Sequence, residues 1–143
     1  MSNATLAKFG YPGTTIEDGR HWVVLLRPRQ VTLGSLVLIC KEPVHAFSDL
    51  SKEAFAGLHE VTGRIERSLQ KAFAYDKINY LMLMMVDPDV HFHVIPRYAD
   101  ERRFAAAVFR DVAWPGPPDL GRDNELDDAG RSSLRKHLIS TWG

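Results

Sequence analysis

Residues 89–97 have the sequence Asp-Val-His-Phe-His-Val-Ile-Pro-Arg, in which polar and apolar side chains alternate through the first six positions. Side chains of a β-strand point alternately to opposite faces, so a strand here places Asp89, His91 and His93 on one face. The apolar residues between them then lie on the other face. This stretch therefore predicts a sheet that packs on a core with one side and carries polar chemistry on the other.

The two imidazoles of this stretch suit the chemistry of phosphate transfer. An imidazole is largely unprotonated at neutral pH, and it attacks phosphorus well when an acceptor holds its other ring nitrogen. His91 lies in the middle of the expected strand, between two polar neighbours on its own face, as such a nucleophile requires. His93 follows about 7 Å further along that face and is placed to donate a hydrogen bond to a phosphate oxygen or a leaving group.

A metal site is the competing interpretation of the same residues. His-x-His is a common ligand spacing, and Asp89 would complete a set of two histidines and one carboxylate. Residues four apart on a strand lie about 13 Å apart, so Asp89 and His93 converge on one ion only if the strand bulges. Otherwise the third ligand has to come from elsewhere in the chain. The other histidines are His21, His45, His59 and His137.

The composition is that of one soluble globular domain. The chain has 143 residues, of which 45% are hydrophobic and 25% are charged, close to the averages for folded soluble proteins. Disordered and fibrous classes are therefore excluded. Eighteen basic residues balance eighteen acidic ones, so the chain lacks the net positive charge of proteins that bind nucleic acid through its phosphates. No nucleic-acid partner is expected.

The sequence also predicts where the protein works. No apolar run approaches the roughly eighteen residues that a membrane helix needs, and the N-terminus lacks a basic region followed by an apolar one. The single cysteine, Cys40, lies in an apolar run and is expected to be a small buried hydrophobe rather than a reactive thiol. These features predict a cytoplasmic protein without a membrane partner.

Hydrophobic periodicity and turn residues predict the order of the elements. Residues 1–20 contain glycines and prolines without periodicity and are expected to form an irregular arm. Apolar residues at spacings of three and four predict a long helix over residues 52–73. Pro96 is expected to end the strand that carries the histidines. The predicted strands are 21–27, 35–40, 78–86 and 89–95, and a C-terminal helix covers 126–141, with Asn124 or Asp127 as its cap.

The strands are expected to pair as two hairpins separated by the long helix, because their connections are short. This order predicts an α+β domain with a mainly antiparallel sheet of about five strands, one long helix and a C-terminal helix. A single domain is expected over residues 1–143, with 110–143 as a C-terminal extension. Residues 104–109 fit either a strand or a helical turn. The methionines within 82–85 are assigned to the core, and Trp114 with its prolines covers a site or contacts a second subunit.

Residues 89–95 also resemble the signature of the histidine triad (HIT) superfamily of nucleotide hydrolases and transferases. That signature is His-φ-His-φ-His-φ-φ, with φ apolar, and Asp89 stands in place of its first histidine. The resemblance extends over about residues 20–110, through Leu36 to Pro43, the helix that follows, and the strand that starts at Ile78. It implies a HIT-like fold.

The resemblance implies roles for individual residues. His91 takes the position of the nucleophile that attacks the α-phosphate of a nucleotide and forms a covalent nucleotidyl-histidine, and His93 takes that of the histidine that contacts the phosphate. The backbone carbonyl of Asp89 would orient the nucleophile. Arg27 stands where the family often has an asparagine that contacts the ribose, and Arg97 either contacts phosphate or pairs with a surface carboxylate. We expect Asp89, Arg97 and Arg27 to bind substrate, with no metal or cofactor required.

Two segments depart from the family pattern. Asp87-Pro88 stands in place of a longer loop that ends in Gln and Ser or Thr, and Leu33-Gly34-Ser35 stands in place of Pro-Gly-His. The expected function is hydrolysis or nucleotidyl transfer at the α-phosphate of a nucleoside polyphosphate or phosphoramidate, for example a dinucleoside polyphosphate, by a homodimer. The first alternative is a non-catalytic nucleotide-binding or interaction module on the same fold. The second is a metal site at His91 and His93.

Overall fold

A five-stranded antiparallel sheet with helices on both of its faces forms the centre of the fold, in a computed structural model that describes residues 3–143. In chain order the elements are α1 (Ala4–Lys8), β1 (Thr15–Asp18), β2 (Trp22–Leu26), β3 (Leu36–Cys40), α2 (Lys52–Phe73), β4 (Lys77–Leu81), β5 (His91–Arg97), β6 (Arg102–Phe104), β7 (Ala107–Phe109) and α3 (Asp128–Thr141). The strand order in the sheet is β1-β2-β3-β5-β4, and every neighbouring pair is antiparallel. The predicted α+β architecture is thus confirmed. Among residues 3–143, no helix is both long and apolar enough to cross a membrane.

The two faces of the sheet have different partners. One face packs against α2 and α3, and this larger core contains Leu38 of β3, Leu69 of α2 and Leu138 of α3. The opposite face carries a smaller apolar cluster, in which Phe9 covers side chains of β2 and β3. β3 pairs with β5 so that Val37 lies opposite His93 and Ile39 opposite His91. The histidine pair therefore belongs to the smaller face, next to the segment that contains α1.

The helix bounds follow from their caps. α2 begins where the Ser51 hydroxyl accepts a hydrogen bond from the Ala54 backbone N–H, and it covers the predicted residues 52–73. It ends at Ala74, which adopts a left-handed conformation with φ of 50°. Asp127 caps α3 by accepting a hydrogen bond from the Gly130 N–H at 2.7 Å, so one of the two predicted caps is confirmed and the helix starts two residues later than expected.

The expectation of an irregular arm over residues 1–20 is wrong for half of the described residues 3–20. Residues 4–8 form α1, which Asn3 caps by accepting a hydrogen bond from the Leu6 N–H. Thr15–Asp18 form β1 at the edge of the sheet, with a register shift between Thr15 and Glu17. Both elements are short and lack sequence periodicity, and they gain their stability from the sheet on which they pack.

The predicted strand over 78–86 is too long. β4 ends at Leu81, and the loop after it exposes Met85 and Val86, which are 85% and 84% solvent-accessible. Met84 has a φ of 55°, a left-handed conformation that no regular strand contains. The core assignment of the methionines holds for Met82 and Met84, which pack partly buried against the larger core, and is wrong for Met85.

Pro96 does not end its strand, as was expected. β5 continues to Arg97, and Pro96 lies opposite Ile78 of β4. The pairing with β3 reaches only as far as Val94, so β5 is a local edge strand at Pro96. A proline, which has no N–H to donate, is tolerated there. The open choice at 104–109 is decided by the β6–β7 hairpin.

Candidate active site

A cavity of about 460 Å³ opens on the smaller face of the sheet, at the start of β5. It is walled by the end of α1, the segment after β2, the loop between β4 and β5, and the histidine pair itself. Most of its lining is apolar, and its polar groups are imidazoles, cations and one carboxylate. The lining residues are Lys8, Phe9, Arg27, Pro28, Arg29, Leu83, Met84, Met85, Val86, Asp87, His91, His93 and Leu120.

His91 is buried at the floor of this cavity and has a defined tautomer. Its Nδ1 donates a hydrogen bond of 2.6 Å to the backbone carbonyl oxygen of Asp89. A carbonyl can only accept, so Nδ1 carries the proton and Nε2 of the neutral ring keeps its lone pair. A ring nitrogen with a free lone pair can act as a nucleophile. The structure places the carbonyl of Asp89 in the orienting position that the family resemblance implied.

His93 stands edge-on to His91, with the ring centroids 5.3 Å apart and an interplanar angle of 82°. Burial, followed by the positive charge of Arg27 and the interaction with His91, lowers the pKa of His93 to about 4. His93 is therefore a neutral imidazole at physiological pH. Its buried Nδ1 has no hydrogen-bond partner among residues 3–143.

Cations surround the imidazoles. Arg27 is buried, and its guanidinium donates to the carbonyl oxygens of Arg29 (2.9 Å) and Leu120 (3.3 Å). Burial, and next the charge of Arg29, lower the pKa of Arg27. The one carboxylate of the lining, Asp87, is already paired with Lys8, whose Nζ lies 2.8 Å from Asp87 Oδ2. The carboxylate of the lining therefore balances the charge of Lys8 rather than that of Arg27 or Arg29.

The side chain of Asp89, which was expected to bind substrate, is not among the residues that line the cavity. Its Oδ2 accepts hydrogen bonds from the Thr5 hydroxyl (2.9 Å) and the Thr5 backbone N–H (3.3 Å). Its Oδ1 lies 3.7 Å from Nε2 of the exposed His45. Asp89 precedes the first residue of β5, so strand alternation does not direct its carboxylate toward the histidines.

Arg97 is likewise absent from the cavity. It lies four residues beyond His93, about 13 Å further along β5. Its guanidinium forms a bidentate pair with Asp111, at 2.7 and 3.0 Å, and donates a third bond to Asn79. Both charged side chains are almost fully buried, so the carboxylate partner is an interior one rather than the surface carboxylate that was considered. Of the three residues expected to bind substrate, the structure brings only Arg27 to the histidine pair.

The comparison with family models assigns the chain. Residues 14–100 match the model of the HIT domain. The chain belongs to the HIT domain family. The matched region contains both cavity histidines, Arg27 and all five strands of the sheet, while α1 and α3 lie outside it.

Solved structures of HIT proteins have the same fold. A histidine triad protein from Sinorhizobium meliloti superposes with a TM-score of 0.77 at 20% identity, over 99% of this chain and 96% of that one. One from Marinobacter aquaeolei gives 0.75 at 20% identity, over 99% and 94%. A zinc-bound histidine triad family protein from Mycobacterium smegmatis gives 0.63 at 21% identity, over 98% and 95%. A search of curated proteins gives no significant match.

Several residues that line the cavity of this HIT domain were not predicted from the sequence. Arg29 lies two residues after Arg27, and the presence of two arginines in this short segment was the sequence signal that could have identified it. Lys8 and Phe9 lie outside the matched region, and Asn3, a typical helix cap, was the only local sign that their segment is ordered. The remaining unforeseen lining consists of residues 83–86, which were assigned to a strand, together with Pro28, Asp87 and Leu120.

Proposed function

We propose that this HIT domain is a nucleotide hydrolase or nucleotidyl transferase that works at an α-phosphate through a nucleotidyl-histidine on His91. The observation that carries the proposal is the 2.6 Å hydrogen bond from His91 Nδ1 to the Asp89 carbonyl, which leaves Nε2 as the nucleophilic nitrogen at the floor of a cationic cavity. Membership of the HIT domain family supports the same class of activity.

The reaction would take place in two steps. In the first, the lone pair of His91 Nε2 forms a bond to the α-phosphorus, the bond from phosphorus to the leaving group breaks, and the leaving group keeps the electron pair and takes up a proton from solvent. In the second, water or another acceptor attacks the phosphorus and releases a proton to solvent, the P–N bond breaks and its electron pair returns to Nε2. Neutral His93 can donate one hydrogen bond to a phosphate oxygen or the leaving group, and Arg27 and Arg29 can balance the phosphate charge.

The substrate proposed for this cavity is a nucleoside polyphosphate or phosphoramidate, with a dinucleoside polyphosphate as one candidate. The Asp89 carboxylate is bound to Thr5 and does not line the cavity, so it leaves the phosphate site free of a second negative charge. The apolar lining offers surface for a base.

Rapid-quench labelling tests the proposal. The protein is mixed with substrate labelled at the α-phosphate and quenched at intervals, and the protein fraction is examined for label. We expect an acid-labile adduct on the wild type and on the control variant His59→Ala, which changes an exposed histidine of α2, and no adduct on His91→Ala. An adduct that survives in His91→Ala would refute the role of His91.

A non-catalytic nucleotide-binding module is the second candidate. The observation that favours it is the β4–β5 loop, where Asp87-Pro88 stands in place of the Gln and Ser or Thr that the family resemblance would supply. Calorimetry with a panel of nucleotides, followed by turnover assays with the same panel, separates the two candidates. Binding without turnover would support the module, and any turnover that depends on His91 would exclude it.

Zinc in the Mycobacterium smegmatis structure makes a metal site worth testing in this chain. Within residues 3–143, no group of three His, Cys, Asp or Glu side chains is placed to hold a metal ion. His137, one of the four histidines considered as a third ligand, packs against the rings of Phe73 and Phe104. Elemental analysis of protein purified without an affinity tag or chelator should find less than one equivalent of metal per chain.

We further propose a cytoplasmic homodimer. The exposed apolar residues of the β4–β5 loop, together with the C-terminal extension, offer surface for a second subunit. Trp114 is not among the residues that line the cavity, which leaves the dimer contact as the role proposed for it. Sedimentation at micromolar protein concentration measures the assembly state, and a monomer would contradict the proposal.

A further inference from the structure

We propose that Asp89 is a positioning residue that docks the α1 segment, residues 3–9, as one wall of the active site, and that Phe9 and Lys8 of this segment contact the substrate. The inference rests on the proposed function for the identity of the substrate, a nucleotide, but not for the docking itself. It assigns a structural role to the carboxylate of Asp89, which occupies the first position of the histidine motif.

The docking is specific and buried. Thr5 is fully buried, and its hydroxyl and backbone N–H both donate to Asp89 Oδ2. The N–H of Thr5 belongs to the first turn of α1, where no carbonyl of the same helix can accept it. Asn3 adds a hydrogen bond from its side-chain amide to the carbonyl of Cys40 at 3.2 Å. The carboxylate of Asp89 thus satisfies donors that would otherwise be buried without a partner.

The docked segment reaches both imidazoles. The Phe9 ring lies edge-on to His93 with the centroids 5.7 Å apart, and its centroid is 6.5 Å from that of His91. Phe9 is 8% exposed, and its ring lies on the apolar cluster of β2 and β3. Lys8 pairs with Asp87, so the α1 segment and the β4–β5 loop are tied together at the cavity. A nucleotide bound at His91 therefore meets an aromatic ring and an ammonium group of this segment.

This arrangement predicts an unexpected result for Asp89→His, which restores the family signature. The backbone carbonyl that orients His91 is kept by any residue at position 89. A neutral imidazole, however, accepts through one nitrogen and without charge, whereas the carboxylate accepts both Thr5 bonds and carries charge. Restoring the histidine should therefore release the α1 segment and impair substrate binding rather than improve the enzyme.

The test compares Asp89→His with Thr5→Val, which removes only the hydroxyl donor, and with the control Thr62→Val, whose hydroxyl donates within α2. Calorimetry with AMP measures affinity, and the NMR shift of the His93 ring proton reports whether the Phe9 ring is still beside it. We expect AMP to bind about tenfold more weakly to Asp89→His and Thr5→Val, as the loss of a hydrogen bond to a charged group implies. The His93 signal should move in both variants, and Thr62→Val should match the wild type.

The kinetic pattern provides a second readout. With a substrate that is turned over, both variants should raise KM more than they lower kcat, because the bond that orients His91 remains. Phe9→Leu, which keeps an apolar side chain but removes the ring, should also raise KM. A merely structural role for the α1 segment would instead lower the fraction of active protein and leave KM unchanged.

Several outcomes would overturn the inference. The inference is wrong if Thr5→Val binds AMP as tightly as the wild type, if Asp89→His gains activity, or if the His93 signal moves in neither variant. If Asp89→His fails to fold, the result for Thr5→Val decides alone. If the wild type never forms an adduct but Thr5→Val binds AMP more weakly, the proposed chemistry is wrong and this inference holds. If the wild type forms an adduct but Thr5→Val binds AMP with unchanged affinity, the proposed chemistry holds and this inference is wrong.

Discussion

The neutral state of His93 predicts how the protein responds to acid. Burial, followed by the charge of Arg27 and the interaction with His91, lowers the pKa of His93 from 6.5 to about 4. In the unfolded chain the same imidazole titrates near its ordinary value of about 6.5. Between these two values the unfolded chain binds a proton that the folded protein does not bind. Stability should therefore fall as the pH falls from about 6.5 to about 4, and this contribution should vanish at neutral pH.

The structure sets the size of this loss. His93 is only 7% exposed, so solvent screens little of the effect. A pKa unit corresponds to about 1.4 kcal/mol, so the full difference amounts to about 3 kcal/mol. The unfolding free energy should fall by roughly 2 kcal/mol from this cause between about pH 7 and about pH 4.5. Urea unfolding across that range measures it, and the fluorescence of Trp22, buried against α2 through its bond to the Ala54 carbonyl, reports the transition.

His93→Gln isolates the contribution of one imidazole from that of the carboxyl groups that titrate in the same range. The difference in unfolding free energy between wild type and His93→Gln should change by about 2 kcal/mol over this interval, in favour of the variant in acid. His59→Gln provides the effect of removing an exposed histidine. Parallel pH curves for the wild type and His93→Gln would refute the argument, as would a His93 ring proton that titrates near its ordinary pKa in the folded protein.

Three further changes test other parts of the structure. Asp111→Asn should lower the unfolding free energy by about 3 kcal/mol, because Arg97 would remain charged and buried without its carboxylate; an unchanged urea midpoint would contradict this. Gly34→Ala should lower the unfolding free energy by about 1–3 kcal/mol, because Gly34 has a φ of +86° and a Cβ there would lie 3.0 Å from the Phe73 ring. An unfolding free energy equal to that of the wild type would contradict this. Arg27→Met should weaken AMP binding and reduce its dependence on salt, as calorimetry at low and high salt would show; an unaltered salt dependence would argue against a phosphate contact.

The parts of the fold that were predicted correctly depend on local signals. The long helix was placed at its observed bounds because its cap and its apolar spacing lie within one stretch of chain. The pair His91 and His93 was placed on one face because strand alternation is also local. Residues 83–86 were misplaced in a strand because they are apolar yet mostly exposed, and composition alone does not distinguish a buried strand from an exposed apolar loop.

The sequence by itself determined that two histidines share one face of a strand, that the strand belongs to an α+β domain, and that a backbone carbonyl precedes the first of them. Tertiary structure decided what surrounds them. Thr5 and Asp89 are 84 positions apart, and nothing within either segment specifies that a buried carboxylate will meet a buried hydroxyl. Arg97 forms a buried ion pair with Asp111, and no periodicity in the sequence predicts that these two residues lie side by side. The electrostatic partner of a polar side chain depends on which distant segment packs nearby, and only the folded chain contains that information.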